Sequence, residues 1–333
     1  MYFVITFLVT CILAWILTPS RSSEFAGVQR LSASQRPPRA GGFAVAIPVV
    51  ALGFAQVLVH ADVPEKLVAL CAGALVVWFF GVIDDAVLEL RPLGKLSGQA
   101  LGVAVMVFLG LRTEIYFLPA WVNILLTVIW MLVLTNSINL LDILDGLAVG
   151  VVLLIALGFW FIAWQSGAAA LAVFSAGLSG SCLAFYLFNR RPARIYLGDN
   201  GSQLLGFFLG GLALANSYAT EANAIALLTP LVLLAIPLFD LLFVSWVRWR
   251  KGQSIVLKSP DHLSYRLAHL FRAEGGEVKV MHLLTLGFVL IGLVLPVAPA
   301  LICGILIGIA LVLLGAIAWA ASRMEIHDIA HSN

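Results

Sequence analysis

Apolar stretches of about 20 residues recur along the whole chain, and each is long enough to cross a bilayer as a helix. Eleven are read, at roughly 2–19, 43–60, 66–83, 97–111, 119–135, 146–164, 167–187, 203–218, 222–247, 280–296 and 299–321, with only PVAP (296–299) between the last two. The chain is 62% hydrophobic and 11% charged, with mean hydropathy +1.06. Soluble domains run near a quarter charged, so that class is excluded. The expected fold class is all-α: a polytopic integral membrane protein of 10–11 transmembrane helices, one transmembrane domain over residues 1–333. The first stretch has neither a basic n-region nor a small-residue cleavage site, so a retained helix is expected there.

Charge placement tests this count. The segments 20–42, 84–96, 136–145, 188–202, 248–279 and the tail from 322 fall on one side and hold 17 of the 19 Lys/Arg; Lys66 and Arg112 fall on the other. Lys/Arg excess marks the cytoplasmic face, which puts the N-terminus outside and the C-terminus in the cytoplasm. A wrong helix count would scramble this asymmetry. Cys11, Cys71, Cys182 and Cys303 each stand alone in apolar segments, without zinc spacing, and read as small core residues. There is no internal repeat, no low-complexity linker and no soluble domain.

The polar residues gather on the same face as the bases. Residues 135–146 read TNSINLLDILDG, with Asn136, Asn139, Asp142 and Asp145 at every third position between two apolar blocks. Residues 81–99 carry the adjacent Asp84 and Asp85, residues 189–202 place Asp199 in a Gly-Asp-Asn-Gly turn, and IPLFD sets Asp240 inside the ninth stretch. Each has a bland reading. Helix ends at a membrane surface are polar anyway, and Asp199 suits an ordinary turn. Asp240 is different, because an acid within an apolar stretch is costly and marks function by default. Convergence of the whole set on one face is what the bland readings leave unexplained.

Hard oxygen ligands without Cys or paired His suit Mg²⁺, with Mn²⁺ as the alternative. Lys and Arg beside them suit phosphate oxygens. The inventory therefore points to metal-assisted phosphoryl transfer involving a lipid at the cytoplasmic face. An ion-coupled transporter is the competing class, but transporters place their site near the midplane between internal repeats. A prenyltransferase would ask for acids spaced along a helix, which the adjacent Asp84–Asp85 pair does not supply.

The blocks GVIDD…LRPLGK…GQ, NSINLLDILDGLA, NRRPARIYLGDNGSQLLG, IPLFD and DHLSYRL, together with RPPRAGG (36–42), resemble those of the polyprenyl-phosphate N-acetylhexosamine-1-phosphate transferases in order and placement. This superfamily, glycosyltransferase family 4, includes the bacterial UDP-GlcNAc:undecaprenyl-phosphate transferases and the phospho-MurNAc-pentapeptide translocase. The resemblance covers about 36–267. It implies Mg²⁺-dependent transfer of a sugar-1-phosphate, GlcNAc-1-phosphate first, from a UDP-N-acetylhexosamine to polyprenyl phosphate. UMP would be released and cell-envelope polysaccharide synthesis begun, at the inner face of the bacterial plasma membrane. Partners implied are the nucleotide sugar, the polyprenyl phosphate and the bilayer, with a homodimer left open and no nucleic acid.

Roles follow from the same resemblance. Asp84 and Asp85 look like the acidic pair near the acceptor phosphate and Mg²⁺, and Lys95 like a phosphate-contacting lysine. Asn136, Asn139, Asp142 and Asp145 match N-x-x-N-x-x-D-x-x-D-G, with Asn139 and Asp142 at the nucleotide and metal region. Asp199 matches a metal-binding aspartate. His262 and Arg266 fall in a loop linked to sugar recognition; helical from Asp261 onward, they would stand four apart on one face. Asp84, Asp85 and Asp142 are thus expected to be catalytic, and Asp199 to bind the metal. Lys95, Asn136, Asn139, Asp145, His262 and Arg266 are expected to bind substrate. Two departures stand out. Ile143 replaces a usual Gly, and Ser264 and Tyr265 replace two histidines of His-x-His-His-Arg, which argues against the pentapeptide branch.

Overall fold

The computed structural model describes residues 1–18, 37–59, 65–86, 90–218, 224–253, 261–268 and 275–323. Arg36 of RPPRAGG, Ser259 and Pro260 lie outside the described residues. Among the described residues the chain is helical, with no strand. The helices are α1 (Tyr2–Leu17), α2 (Gly41–Val59), α3 (Glu65–Ala86), α4 (Pro92–Phe108), α5 (Ala120–Leu141), α6 (Leu147–Gln165) and α7 (Ala169–Asn189). They continue as α8 (Gly198–Ala215), a 3₁₀ turn (Ala224–Leu228), α9 (Thr229–Leu233), α10 (Ala235–Arg250), α11 (Leu263–Ala268), α12 (Gly276–Val294) and α13 (Ala300–Ser322). Prolines open several of them: Pro92 heads α4, and Pro119 and Pro299 cap α5 and α13. At a helix start the missing N–H has no partner to lose.

Among the described residues each apolar stretch of the sequence is mainly helical, but the ninth is broken. The 3₁₀ turn and α9 meet α10 at a bend of 68°. Pro237 explains it, since its ring nitrogen cannot donate to the Leu233 carbonyl and crowds it. Six helices among the described residues are long and apolar enough to cross a membrane, or seven with the bent pair taken as one; α1, α4 and the Gly41–Gln56 part of α2 are apolar but shorter. Outward faces fit a lipid solvent. In α13 only 11% of the apolar span is buried, and Leu301, Leu311 and Val312 stand 77%, 64% and 72% exposed.

The centre is α8, which buries nearly its whole length and packs against α2, α3 and α5. Between helices in lipid, close approach rather than hydrophobic driving force supplies the attraction. Gly206 provides it here: a Cβ at that position would lie 2.8 Å from the Leu134 carbonyl oxygen and 2.8 Å from Thr135 Cα of α5. Seated on these backbones, the first turn of α8 comes beside the last turns of α3 and α5. Lys66, at the other end of α3, pairs with Glu114 at 3.7 Å, away from the acidic end.

Candidate active site

Three helix ends build the site. The last turn of α3 carries Asp84 and Asp85, the first turn of α4 carries Lys95, and the first turn of α8 carries Asp199, where the helix dipole favours an anion. Lys95 Nζ lies 2.6 Å from Asp84 Oδ2 and bonds Asp199 Oδ2 as well, so one ammonium joins two carboxylates from different helices. The Leu90 backbone N–H fixes the other oxygen of Asp84 at 2.7 Å. Asp85 Oδ2 accepts from Asn200 twice, from its backbone N at 2.8 Å and its side-chain Nδ2 at 2.6 Å. Asp84, Asp85 and Asp199 each offer an oxygen within 4.8 Å of the others. Such a set suits a hard divalent cation.

The end of α5 forms the next wall. Asn139 Nδ2 donates to Ser202 Oγ of α8 at 2.8 Å. Asn136 Nδ2 donates to Gln99 Oε1 at 2.7 Å, and Gln99 Nε2 donates to Gln203 Oε1 at 3.0 Å. Gln203 Nε2 in turn reaches Asp199 Oδ2 at 3.5 Å. Gln99 and Gln203 are buried, so this chain of amides satisfies itself inside the bundle. Sequence reading did not single out Gln99, Asn200, Ser202 or Gln203. The available signal was the amides themselves, which are costly to bury in apolar helices without partners.

Beyond Leu141 the chain turns through Asp142–Gly146. Asp142 is half-buried and faces Asp199, Asp145 and Asp85. Loss of water first, then these negative charges, push its pKa up to about 7, with Arg39 pulling the other way. Asp145 Oδ2 accepts the Ala193 N–H at 2.9 Å, and Asn189 ties Gly146 N to the Ile195 carbonyl, both at 3.0 Å. Ile143 packs on the apolar core, while the left-handed position falls on Gly146, at φ +77. That backbone favours glycine.

His262 and Arg266 belong to a second cluster, at the junction of α10, α11 and α13. His262 Nδ1 and Asp240 Oδ2 are 2.8 Å apart, and Asp240 Oδ1 accepts the Leu263 N–H at 2.8 Å. Arg266 donates to Asp261 Oδ1 from Nη2 and to the Ala321 carbonyl from Nη1, both at 2.9 Å. Lys251 Nζ also reaches Asp261 Oδ1, at 2.7 Å. The Arg266 N–H bonds the His262 carbonyl at 3.2 Å, so the expected four-residue spacing on a helix is present. The acid that reads as functional from its apolar setting holds a buried histidine.

The model for glycosyl transferase family 4 matches residues 67–217, which contain the whole first cluster. The chain is 31% identical over 262 residues to the probable undecaprenyl-phosphate N-acetylglucosaminyl 1-phosphate transferase of Bacillus subtilis (strain 168), covering 76% of this chain and 71% of that one. It is 39% identical over 154 residues to the phospho-N-acetylmuramoyl-pentapeptide-transferase of Moorella thermoacetica, 40% of this chain and 48% of that one. It is 30% identical over 284 residues to the decaprenyl-phosphate N-acetylglucosaminephosphotransferase of Mycobacterium leprae, covering 74% and 70%. With its acidic and amide residues assembled at the helix ends inside the matched region, the chain belongs to glycosyl transferase family 4, the polyprenyl-phosphate N-acetylhexosamine-1-phosphate transferases.

Proposed function

We propose that the protein transfers N-acetylhexosamine-1-phosphate, GlcNAc-1-phosphate being the first choice, from a UDP-sugar to polyprenyl phosphate, with release of UMP. The observation that carries this reading is the meeting of Asp84, Asp85 and Asp199 with Lys95 at the ends of three helices. We take residues 1–333 as one domain with eleven crossings in a bacterial plasma membrane. The Lys/Arg asymmetry supports an N-terminus outside and a site facing the cytoplasm.

The donor set fits Mg²⁺, or Mn²⁺: it is all oxygen, clustered within 4.8 Å, with the four cysteines elsewhere. Asp199 would hold the cation, with Asp84 and Asp85 beside it. Once bound, it would neutralise the diphosphate and polarise the phosphorus under attack.

The protein's own groups bind and orient. Lys95 supplies an ammonium held between two carboxylates, suited to a phosphate oxygen of either substrate. A phosphomonoester has a second pKa of about 6, so the lipid acceptor is largely ionised near neutral pH. Asp84 is then helpful as a base at most, and its bond to Lys95 supports a part in placing that ammonium. Asn136, Asn139, Asp142 and Asp145 wall the nucleotide end, held by the amide chain and the 189–195 segment. His262 and Arg266 would act by holding α11 against α10 and α13, not by touching the sugar.

Purified protein incubated with polyprenyl phosphate, Mg²⁺ and a panel of UDP-sugars should release UMP with at least one sugar. Folded protein that releases none would overturn the reading and turn attention to ion-coupled transport.

A further inference from the structure

Asn200 is wholly buried, although the carboxylates beside it are partly open. Its backbone N–H and its amide group both donate to Asp85 Oδ2, and the amide also donates to the Arg39 carbonyl at 3.2 Å. Its oxygen, by contrast, is buried with no hydrogen-bond partner. A buried acceptor left unmet costs about 1–3 kcal/mol. Flipping the amide would not recover this, because an acceptor would then face the Asp85 carboxylate. The fold therefore uses Asn200 as a donor.

Two other helices are cut back to admit it. A Cβ on Gly42 of α2 would lie 1.6 Å from Asn200 Oδ1, and one on Gly81 of α3 would lie 2.5 Å from Asn200 Cα. The amide has no room to lean away. The bland account is that a buried Asn ties α8 to α3 and to residues 39–42. Its donors, however, act on a carboxylate of the site. With two N–H groups on Oδ2 the rotation of Asp85 is fixed, and Oδ1 accepts no hydrogen bond among the described residues.

We propose that Asn200 is a positioning residue for Asp85: by holding Oδ2 with two donors it presents the carboxylate to the divalent-cation site and raises cation affinity without touching the cation. This rests on the reading of Asp84, Asp85 and Asp199 as that site.

The test is Mn²⁺ affinity of detergent-purified protein, from the electron paramagnetic resonance signal of free Mn²⁺, with thermal unfolding measured alongside. Asn200→Ala removes the donor and the volume, whereas Asn200→Leu removes the donor but keeps the branched shape. Loss of a group that orients a metal ligand from behind typically weakens metal binding about 10–100-fold. Both variants are expected to show this, with the KM for polyprenyl phosphate unchanged and with rate partly restored by excess metal. Parent-like affinity in Asn200→Leu alone would make the residue a space filler, and parent-like affinity in both a helix tie. Failure of both to fold would make it an anchor of the fold. Each of these overturns the proposal. A parent protein that binds no Mn²⁺ is a different result, and removes the cation site itself.

Discussion

Asp240 Oδ2 and His262 Nδ1 lie 2.8 Å apart with side chains only 2% and 3% exposed, so an acid of α10 and the residue just before α11 hold each other out of water. Removing one partner of a buried hydrogen bond leaves the other short of a partner, at a cost of about 1–3 kcal/mol. His262→Ala is therefore expected to lower the unfolding temperature of the detergent-purified protein markedly, leaving Asp240 with the Leu263 N–H alone. The order of preference among UDP-sugars in the surviving activity should match the parent's. An altered order at an unaltered unfolding temperature would instead put the imidazole on the sugar.

Asp199 shares the Lys95 ammonium with Asp84, and its first-turn position keeps it at the mouth of α8. Asp199→Asn should leave the unfolding temperature near the parent's but cut UMP release by more than roughly 100-fold, since an amide oxygen is a poorer ligand for a hard cation. The measurement is a Mg²⁺ titration of rate. A Mg²⁺ dependence of rate with the parent's midpoint and the parent's maximum would remove Asp199 from the metal.

Asp142 gives a pH signature with a definite sign. Its pKa is raised from an ordinary 3.8 to about 7, so across that interval the folded state keeps a proton that the unfolded state has lost. Stability from this group is then highest below the interval and falls as pH rises through it. Asp142→Asn abolishes the penalty. In metal-free protein the variant's advantage in unfolding temperature should grow from roughly pH 4 to about pH 7 and then level off. A constant difference across that range would mean that burial and the neighbouring carboxylates do not hold the carboxyl protonated.

How much of this is legible in the sequence depends on the range of the interaction. Asp84, Asp85, Asp199 and the 136–145 run stand out because polar groups in an apolar chain are costly and few. The 3.6-residue repeat places His262 and Arg266 on one side of a turn. It cannot say which way that side faces, and here the facing partners are Asp240, Asp261 and the Ala321 carbonyl, up to 55 residues away. Gln99 and Gln203 are 104 residues apart, and Asp85 and Asn200 115. Only helix adjacency makes them partners, and a linear pattern does not carry it. The Gly-Asp-Asn-Gly turn proves to be the first turn of α8, because Asp199 suits a helix N-terminus as well as it suits a loop. In the ninth stretch the prolines are visible, but their presence alone does not give the 68° of the bend.

Gly206 tests whether the approach of α5 and α8 assembles the site. The three nearest atoms that its absent Cβ would meet, the Leu134 carbonyl oxygen and Thr135 Cα at 2.8 Å each and the Thr135 carbonyl oxygen at 3.0 Å, are all backbone, so no side chain can turn aside to make space. An extra methyl must part the helices, and overpacking of this kind costs about 1–3 kcal/mol. Ser202 lies one helical turn before Gly206, and its hydroxyl accepts the Asn139 amide at 2.8 Å; the same parting would stretch that bond. Gly206→Ala should therefore lower the unfolding temperature and slow UMP release together, although residue 206 touches neither substrate nor metal. Gly304→Ala on α13, where a Cβ would meet nothing within 4 Å, is the control expected to do neither. Equal behaviour of the two variants would show that α5 and α8 can separate without loss to the site.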